Sequence, residues 1–538
     1  MKHKRGNRIL GIVFTLMFTF ICGISSNVVH ASSTNSDSAI DQVRYLIRNG
    51  YIKDVPKEIL EKDNIKDIVK GVGDPYTEYF SSEDFKDFTN AVNNTVCGIG
   101  IYNEEDIEGI RIKMVMDNSP AKEVGIKQGD IITKVDDKVL KGVKLEDAIK
   151  YLKGEEGTKV KLVIKRGKEI LIFSVERKKI EVPTVQWNIL DNHIAYIKIQ
   201  TFGMDTPKLF LDAVNEVKDK VDRYIIDLRN NTGGYTNSAY NIAGNFIGED
   251  TAIIMKDKGG NAVEYKGVNH GYVIDKPTIF LINDYTASAS ELLSAAIKDY
   301  NKAFFIGIKS FGKGIQQSSF PLSDGGVLKL TTHSFYSPKG STIHKVGIIP
   351  DLDTKDMDPL LVAKLLYSGK EKEDKTGLLK VKLGNEYFLI DLTKVTNKEY
   401  YKGINYIVDK AENNEIYLGT SNGFNKTTKE FVKNERSIYF NNIKKFNKLV
   451  KNKQNNNFII KFNMDLDKKT INNETIKLVN ENTFDELDIE CVIDDKKVIV
   501  TPKKTATLSG KYCLIVDNIK SKDGKILKEK TSVYVEFK

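Results

Sequence analysis

The sequence predicts an α+β protein built from several domains, and three observations support this fold class. The chain has 538 residues, of which 40% are hydrophobic and 29% charged, as in soluble globular proteins. At about 150 residues per domain, that length indicates roughly three or four domains. The residue pattern also changes along the chain. We therefore expect, in order, a helical N-terminal segment, a domain of short strands, an α/β core, a small mixed domain and a C-terminal β-sandwich.

Residues 1–31 have the pattern of a secretory signal peptide. Four basic residues precede an uncharged apolar run over residues 9–24, and Val29-His30-Ala31 provides a small-residue cleavage site. The alternative is an uncleaved anchor, because the apolar run is near the lower length limit for a membrane-spanning helix. The pattern predicts an exported protein that is extracellular or associated with the cell envelope, with an N-terminal membrane anchor if the signal stays attached.

Composition restricts the possible partners. The net charge of +9 is mild for 82 basic and 73 acidic residues that are mixed along the chain. We therefore expect no nucleic-acid partner, although an anionic cell envelope suits this charge. The chain has 6 histidines without metal-ligand spacing, so no metal or cofactor is expected. Its 4 cysteines are too few for a disulfide scaffold; Cys491 and Cys513 either pair or remain two buried thiols.

The N-terminal half predicts helices and then short strands. In residues 36–95, Ile40, Val43 and Ile47 repeat at helical spacing, a turn interrupts at residues 74–77, and capping residues follow at 81–83. Residues 96–180 change to short strands and turns, with strands at 131–135 and 160–164 and a helix over 145–152.

The remainder predicts three further domains. Residues 181–368 alternate strands with helices, which is typical of an α/β domain; strands are expected at 224–228, 278–283 and 303–308, and a helix at 289–297. A charged linker follows, and residues 376–450 have the composition of a small mixed domain of unknown type. Period-two alternation at Phe458, Ile460 and Phe462 predicts a β-sandwich over residues 453–538.

A serine follows one of the apolar strands at the start of a helix. In Thr286-Ala287-Ser288-Ala289-Ser290-Glu291, the serine at 288 lies where free backbone N–H groups and the helix dipole can stabilise an oxyanion. The alternative is plain helix capping, because serine is a favoured N-cap residue.

A base and an oxyanion turn are also needed. No histidine lies in a recognisable triad setting, whereas Lys313 lies in a glycine-flanked loop, and burial can lower the pKa of a lysine toward neutrality. The alternative is an exposed loop lysine. A third segment, residues 227–234, is a strand that ends in a glycine-rich turn with N–H groups for an oxyanion. Its alternatives are an ordinary loop or a turn shaped by an Asp227–Arg229 ion pair.

Together these segments resemble the carboxyl-terminal processing peptidases. The motifs are DLRNNTGG at 227–234, TASASE at 286–291 and FGKGIQQ at 311–317, with further matches at DPYTEYF (74–80), GIGI (98–101), SPA (119–121), GD (129–130) and GIIPD (347–351). The resemblance spans about residues 40–360. It implies a ClpP/crotonase-like serine protease core with an embedded PDZ-like domain.

The resemblance assigns the chemistry by position. It implies Ser288 as the nucleophile, Lys313 as the base 25 residues later and Gln317 as the assisting glutamine. The expected oxyanion hole is formed by the backbone N–H group of Ala289 together with that of Gly233 or Gly234. Two residues depart from the family pattern. Thr286 replaces a serine that is not the nucleophile, and Gln316 replaces a valine and offers a competing amide to the lysine.

The resemblance also implies how substrates are recruited. In a circularly permuted PDZ-like domain, the carboxylate-binding loop for an added peptide strand consists of Gly98, Ile99, Gly100 and Ile101. We therefore expect an exported serine endopeptidase that cleaves envelope or secreted proteins, with the PDZ-like domain recruiting or gating them. An activating partner protein and a homodimer are family expectations. The C-terminal strand patterns are similar to bacterial Ig-like domains of surface proteins.

Two other functions remain open at this point. One is a catalytically silent envelope adaptor that binds peptide C-termini, against which the presence of Ser288, Lys313 and Gln317 argues. The other is a hydrolase of non-peptide esters, against which the PDZ-like segment argues.

Overall fold

The computed structural model describes residues 38–395, 398–434, 438–439, 444–451, 457–494, 496–503, 510–527 and 530–537. The chain divides into two compact units. The first contains the described residues up to Leu190, Ala195–Ala303 and Lys309–Ile349; the second contains Asp191–Ile194, Phe304–Ile308 and the described residues from Pro350 onward. The predicted signal peptide lies outside the described residues. Within the described ranges, no helix is both long and apolar enough to cross a membrane.

The first unit begins with short helices and one strand: α1 (Ala39–Gly50), α2 (Lys57–Leu60), α3 (Ile65–Val72), β1 (Glu78–Phe80) and α4 (Ser82–Val92). Helix α1 buries the predicted apolar face through Val43 and Ile47. Ser81 caps α4 by accepting the N–H of Asp84. The helical expectation missed β1, which pairs antiparallel with strand β18 (Val327–Tyr336) of the core.

A small β-domain follows: β2 (Thr95–Gly98), β3 (Ile101–Asp106), β4 (Gly109–Val115), α5 (Pro120–Glu123), β5 (Ile131–Val135), β6 (Lys138–Val139), α6 (Leu145–Leu152), β7 (Lys159–Arg166), β8 (Glu169–Glu176) and β9 (Lys178–Glu181). Its main sheet has the order β3–β4–β5–β7–β8, while β2 pairs with β9. Alternating residues such as Ile110, Ile132 and Leu162 fill its core. The predicted helix over 145–152 coincides with α6.

The α/β part of the first unit comprises β10 (Val185–Leu190), β11 (Ile194–Ile199), α7 (Thr206–Val217), β12 (Arg223–Asp227), α8 (Thr236–Ile247), β13 (Thr251–Lys256), β14 (Ala262–Lys266), β15 (Thr278–Ile282), α9 (Ala289–Asp299) and β17 (Ile315–Pro321). Strands β10, β11, β12 and β15 are neighbours in that order, and β12 runs parallel to β15. A second sheet contains β1, β13, β14, β17 and β18. Because β12 and β15 are parallel, the turns that follow them meet at one edge.

The second unit contains β16 (Phe304–Gly307), β19 (Leu352–Asp353), α10 (Pro359–Leu366), β20 (Leu378–Leu383), β21 (Glu386–Asp391), α11 (Lys398–Lys410), β22 (Ile416–Thr420), β23 (Gly423–Lys426), α12 (Lys429–Asn434), β24 (Lys444–Lys451), β25 (Phe458–Lys461), β26 (Ile476–Asn480), β27 (Glu486–Leu487), β28 (Ile489–Asp494), β29 (Lys497–Pro502), β30 (Gly510–Val516) and β31 (Thr531–Phe537). Strands β16 and β19 are parallel.

Two elements lie across the predicted domain limits, which stay predictions. Helix α10 falls inside the predicted core, which extends to residue 368, and it is part of the second compact unit. Strand β24 precedes the predicted start of the last domain at 453, yet it pairs in parallel with β31. Its sequence, KKFNKLVK, contains four lysines, which interrupt the alternation of apolar and polar residues that would indicate a strand. The C-terminal sheets have the orders β24–β31–β30–β26–β27 and β25–β29–β28, and Phe458, Ile476 and Val498 share one core. Cys491 and Cys513 are free thiols.

Candidate active site

Ser288 lies at the tight turn between the buried strand β15 and helix α9. Its backbone has φ 56° and ψ −115°, a region that side-chain-bearing residues rarely adopt, and its side chain is buried. Such strain is characteristic of functional positions because the surrounding structure must hold it. The capping expectation is also met in part, since the N–H of Ser288 donates to Glu291 Oε2 at 3.0 Å.

Thr286 shows why the turn keeps a hydroxyl two residues before the serine. Its Oγ1 donates to the carbonyl of Leu228 at 2.9 Å and accepts the N–H of Asn283 at 2.9 Å. These bonds fasten the β15 turn to the end of β12. A threonine hydroxyl makes these bonds as a serine hydroxyl would. The replacement at this position therefore keeps the structural role of the hydroxyl.

The glycine-rich turn after β12 lies directly against Ser288. Gly233 has φ +112°, and a Cβ added there would lie 2.8 Å from Ser288 Cβ and 3.0 Å from the N of Ala289. Only glycine permits this approach. The Asn231 carbonyl accepts the N–H of Ala287 at 3.1 Å, which fixes one turn on the other.

The N–H groups predicted for the oxyanion hole differ in their availability. The N–H of Gly233 donates to Asn231 Oδ1 at 2.9 Å, so it already has an acceptor. For the N–H groups of Ala289 and Gly234, the described residues provide no acceptor. The predicted Asp227–Arg229 ion pair is present at 2.7 Å, with Asp227 fully buried. The ion pair and the glycine turn therefore coexist.

Lys313 is fully buried, so the exposed-loop alternative is wrong. Its Nζ donates to Gln317 Oε1 at 2.7 Å, and it lies 4.8 Å from the centroid of the Tyr76 ring. A β-bulge separates Gln316 from Gln317 and gives the two amides different directions. Gln317 meets the lysine, whereas the buried Oε1 of Gln316 finds no donor among the described residues.

Glu291 joins the serine and lysine segments, and the sequence did not single it out. Its Oε2 accepts the N–H of Ser288 at 3.0 Å and the N–H of Lys313 at 2.7 Å. Its Oε1 accepts Ser310 Oγ at 2.5 Å and the N–H of Gly312 at 2.6 Å. Burial raises the pKa of Glu291, and these four hydrogen bonds act in the opposite direction. One buried carboxyl group thus holds the backbones of both predicted catalytic residues.

A second missed group lies on the far side of the lysine. Gln317 Nε2 donates to Thr331 Oγ1 at 3.1 Å, and Thr331 Oγ1 donates to Asp74 Oδ2 at 2.6 Å. Asp74 and Tyr76 belong to the DPYTEYF motif, which the sequence marked without giving it a role. Tyr76 contacts Lys313 directly, and Asp74 is linked to it through Thr331 and Gln317; both depend on the β1–β18 pairing, which residue spacing does not reveal.

The predicted peptide-binding residues lie in the small β-domain, between β2 and β3. Gly100 has φ +78°, and a Cβ there would lie 2.2 Å from Ser119 Cβ. The carbonyls of Ile99 and Gly100 accept the N–H groups of Ala121 and Met116 at 2.9 and 3.0 Å. Their own N–H groups find no acceptor in the described parts of the chain. Gly98 and Ile101 end β2 and begin β3, respectively.

Comparison with known proteins places these features in one family. The model of peptidase family S41 matches residues 193–354, and a PDZ domain model matches residues 111–166. The Probable CtpA-like serine protease of Staphylococcus aureus (strain MRSA252) is 33% identical over 382 residues, which cover 69% of this chain and 77% of that protein. Its counterpart in Staphylococcus saprophyticus is 33% identical over 362 residues, covering 65% of this chain and 74% of that protein.

Among solved structures, the photosystem II D1 C-terminal processing protease is similar, with 23% identity and a TM-score of 0.40 over 62% of this chain and 94% of that one. The family assignment depends on the sequence relatives, which match over more than two thirds of their own length. The chain therefore belongs to peptidase family S41, as a serine-type, carboxyl-terminal processing peptidase that carries a PDZ domain.

Proposed function

We propose that this peptidase cleaves peptide bonds with Ser288 as the nucleophile and Lys313 as the general base. The observation that carries the proposal is the pair of contacts around the lysine. Lys313 Nζ is buried and bonded to Gln317 Oε1, and Glu291 Oε2 accepts the backbone N–H groups of both Ser288 and Lys313. One buried carboxyl group that holds both backbones supports a nucleophile and a base placed in the same site, as this chemistry needs.

The reaction would proceed through an acyl-enzyme. The neutral amine of Lys313 takes the proton of Ser288 Oγ as that oxygen forms a bond to the substrate carbonyl carbon. Collapse of the tetrahedral intermediate breaks the C–N bond, and the lysine ammonium passes its proton to the leaving amine. Water then attacks the ester with Lys313 again as base, the bond between the acyl carbon and Ser288 Oγ breaks, and Ser288 Oγ takes its proton back from the lysine ammonium. Gln317 Oε1 accepts one amine hydrogen and so orients the nitrogen lone pair.

The oxyanion would be stabilised by backbone donors at the start of α9 and in the glycine turn. The N–H groups of Ala289 and Gly234, which have no acceptor among the described residues, are the primary donors. The N–H of Gly233 joins them when it exchanges Asn231 Oδ1 for the oxyanion. Each such donor contributes about 3 kcal/mol to transition-state stabilisation in related chemistry.

We further propose that the PDZ-like domain binds the C-terminal end of the substrate. The available N–H groups of Ile99 and Gly100 support a carboxylate site at that loop, next to strand β3, on which an extended peptide can pair. Gly98 and Ile101 hold the two ends of the loop in β2 and β3. In this proposal the domain recruits or gates substrates, and an activating partner protein acts there.

The N-terminal pattern supports a proposal on location. We propose that residues 1–31 direct export and that the substrates are envelope or secreted proteins. The C-terminal sheets would then act as an Ig-like spacer or wall-associated module, and the peptidase would work as a homodimer. Fractionation of its own cells tests the first step, since the protein is expected in the envelope or the medium, and its recovery in the cytoplasm alone would contradict export. N-terminal sequencing then distinguishes cleavage after Ala31 from the anchored form.

The catalytic proposal is tested by a gel time course on an unstructured protein substrate. Wild type should cleave it, and Ser288→Ala and Lys313→Ala should not, with their thermal unfolding unchanged. Ser294→Ala is the matched control, because this serine is buried in the same helix and its Oγ has no partner among the described residues. Cleavage by Ser288→Ala at the wild-type rate would refute the nucleophile. No cleavage by any form, even with a partner added, would favour the adaptor function.

A further inference from the structure

The segment that precedes β1 contacts the predicted base, although its motif was given no function. We propose that Asp74 is a positioning residue for Lys313 and acts through a directed chain of hydrogen bonds formed by Thr331 and Gln317. This inference rests on the proposed role of Lys313 as the base. The DPYTEYF motif thereby gains a role in positioning the base, although it lies far in the sequence from the motifs at 286–291 and 311–317.

The direction of every bond in the chain follows from Asp74. A carboxylate only accepts hydrogen bonds, so Thr331 must use its single hydroxyl hydrogen on Asp74 Oδ2, at 2.6 Å. Thr331 Oγ1 can then only accept, and it accepts from Gln317 Nε2 at 3.1 Å. This leaves Gln317 Oε1 facing Lys313 Nζ at 2.7 Å. The charge of Asp74 thus decides which end of the glutamine amide meets the lysine.

Asp74 is itself held by its own turn. Its Oδ1 accepts the N–H of Tyr76 at 3.1 Å, and its Oδ2 also accepts Thr77 Oγ1 at 2.7 Å. Thr77 Oγ1 in turn accepts the N–H of Thr331 at 3.2 Å. The next residues form β1, which pairs with β18 from Glu78 opposite Lys329. Strand pairing therefore sets the distance between Asp74 and Thr331.

The same turn covers the amine. The Tyr76 ring centroid lies 4.8 Å from Lys313 Nζ. Burial, and then the charges of Asp74 and Glu291, raise the pKa of Tyr76, so the phenol stays neutral. His344 also interacts with the charge of Lys313, and its pKa is lowered by burial and by nearby lysines. Of the two carboxyl groups, Asp74 reaches the lysine through Thr331 and Gln317, and Glu291 accepts the backbone N–H of Lys313.

Replacing the carboxylate of Asp74 by an amide should reverse the direction of the hydrogen bonds that run from residue 74 through Thr331 to Gln317. In Asp74→Asn the Oδ1 position stays opposite the fixed N–H of Tyr76, so the amide NH₂ faces the hydroxyl of Thr331. That hydroxyl then accepts from residue 74 and donates to Gln317, whose amide turns over and presents its own NH₂ to Lys313. A donor opposite the amine occupies its lone pair, which removes the base from the reaction.

The experiment measures kcat, KM and the pH dependence of kcat on a fluorogenic peptide for wild type, Asp74→Asn and Thr331→Val. We expect kcat to fall roughly 100-fold in Asp74→Asn, at the lower end of the range of general-base contributions, with KM unchanged. The rise of kcat with pH should move to lower pH, because a lost carboxylate and a facing NH₂ both disfavour a lysine ammonium. A purely structural role would not move this profile.

Two further variants make the outcome decisive. The double variant Asp74→Asn/Thr331→Val should be no slower than the worse single variant, since both changes interrupt one chain. Thr332→Val is the matched control on the same strand, because its hydroxyl bonds Ser318 rather than Gln317, and it should keep the wild-type profile. If Asp74→Asn does not fold, the kcat and pH profile of Thr331→Val alone test the role of Asp74, because this variant leaves the turn at residue 74 intact.

The inference and the proposed function fail in different ways. If wild type cleaves in a Ser288-dependent manner while Asp74→Asn and Thr331→Val keep its kcat and pH profile, the role of Asp74 is refuted and the dyad stands. If Ser288→Ala or Lys313→Ala cleaves like wild type, the proposed function falls, and the inference falls with it.

Discussion

Adding one methyl group at Gly233 should inactivate the peptidase through geometry alone. A Cβ at this position would lie 2.8 Å from Ser288 Cβ, 2.9 Å from the carbonyl oxygen of Ala287 and 3.0 Å from the N of Ala289. Carbon atoms in contact prefer a separation of about 3.5 Å, so the glycine turn and the serine turn must separate by about 0.7 Å. A displacement near 1 Å at a reacting group costs about 100-fold in rate. We therefore expect Gly233→Ala to lower kcat by roughly that factor.

The same substitution also carries a backbone cost that must be separated from the steric one. Gly233 has φ +112°, and an alanine in the positive-φ region loses about 1–2 kcal/mol of stability. Gly340→Ala is the matched control, since its φ is +82° and a Cβ there would meet no atom within 4 Å. It should lose similar stability and keep wild-type kcat. The assay pairs thermal unfolding with initial rates on a fluorogenic peptide. A folded Gly233→Ala protein that works as fast as Gly340→Ala would refute the reasoning.

Three further predictions concern the groups around the site. Glu291→Gln should lose about 2–4 kcal/mol of unfolding free energy, because the new NH₂ group faces backbone N–H donors. Turnover should also fall as Ser288 and Lys313 separate. An unchanged melting temperature and turnover would contradict this prediction. Thr286→Val should lose about 1–3 kcal/mol by chemical denaturation, whereas Thr286→Ser should match wild type; equal stabilities would count against the turn bonds. Burial lowers the pKa of His333, so the unfolded chain binds more protons and stability is lost as pH falls below about 6.5. His333→Gln should flatten the melting temperature across that range, and an unchanged slope would refute it.

The proximity of the serine turn to the glycine turn could be predicted from sequence because each lies in a short contiguous motif at a strand end. Ser288 follows β15 and Gly233 follows β12, and parallel strands bring such turns together. The assisting role proposed for Gln317 came instead from the resemblance to the family, through the FGKGIQQ motif. Strands with period-two alternation, and turns that follow buried strands, are determined by neighbouring residues. The sequence therefore predicts their positions to within a few residues.

The residues that sequence reasoning missed depend on distant pairing. Thr331 and Asp74 are 257 positions apart, and only the registry of β1 on β18 brings them together. Glu291 sits inside a recognised motif, but its partners Ser310 and Gly312 come from another loop. Strand β24 was missed because lysines interrupt its apolar pattern. Local propensity does not encode such tertiary contacts.

The most direct measurement of the central claim is the rate at which a fluorophosphonate, a serine-directed electrophile, adds to the protein across pH. Intact mass and peptide mapping should find one adduct, on Ser288, in wild type. Lys313→Arg keeps a positive charge but provides no base, so it should react at least about 100-fold more slowly. An adduct on another residue, or a Lys313→Arg protein that reacts as fast as wild type, would contradict activation of Ser288 by Lys313.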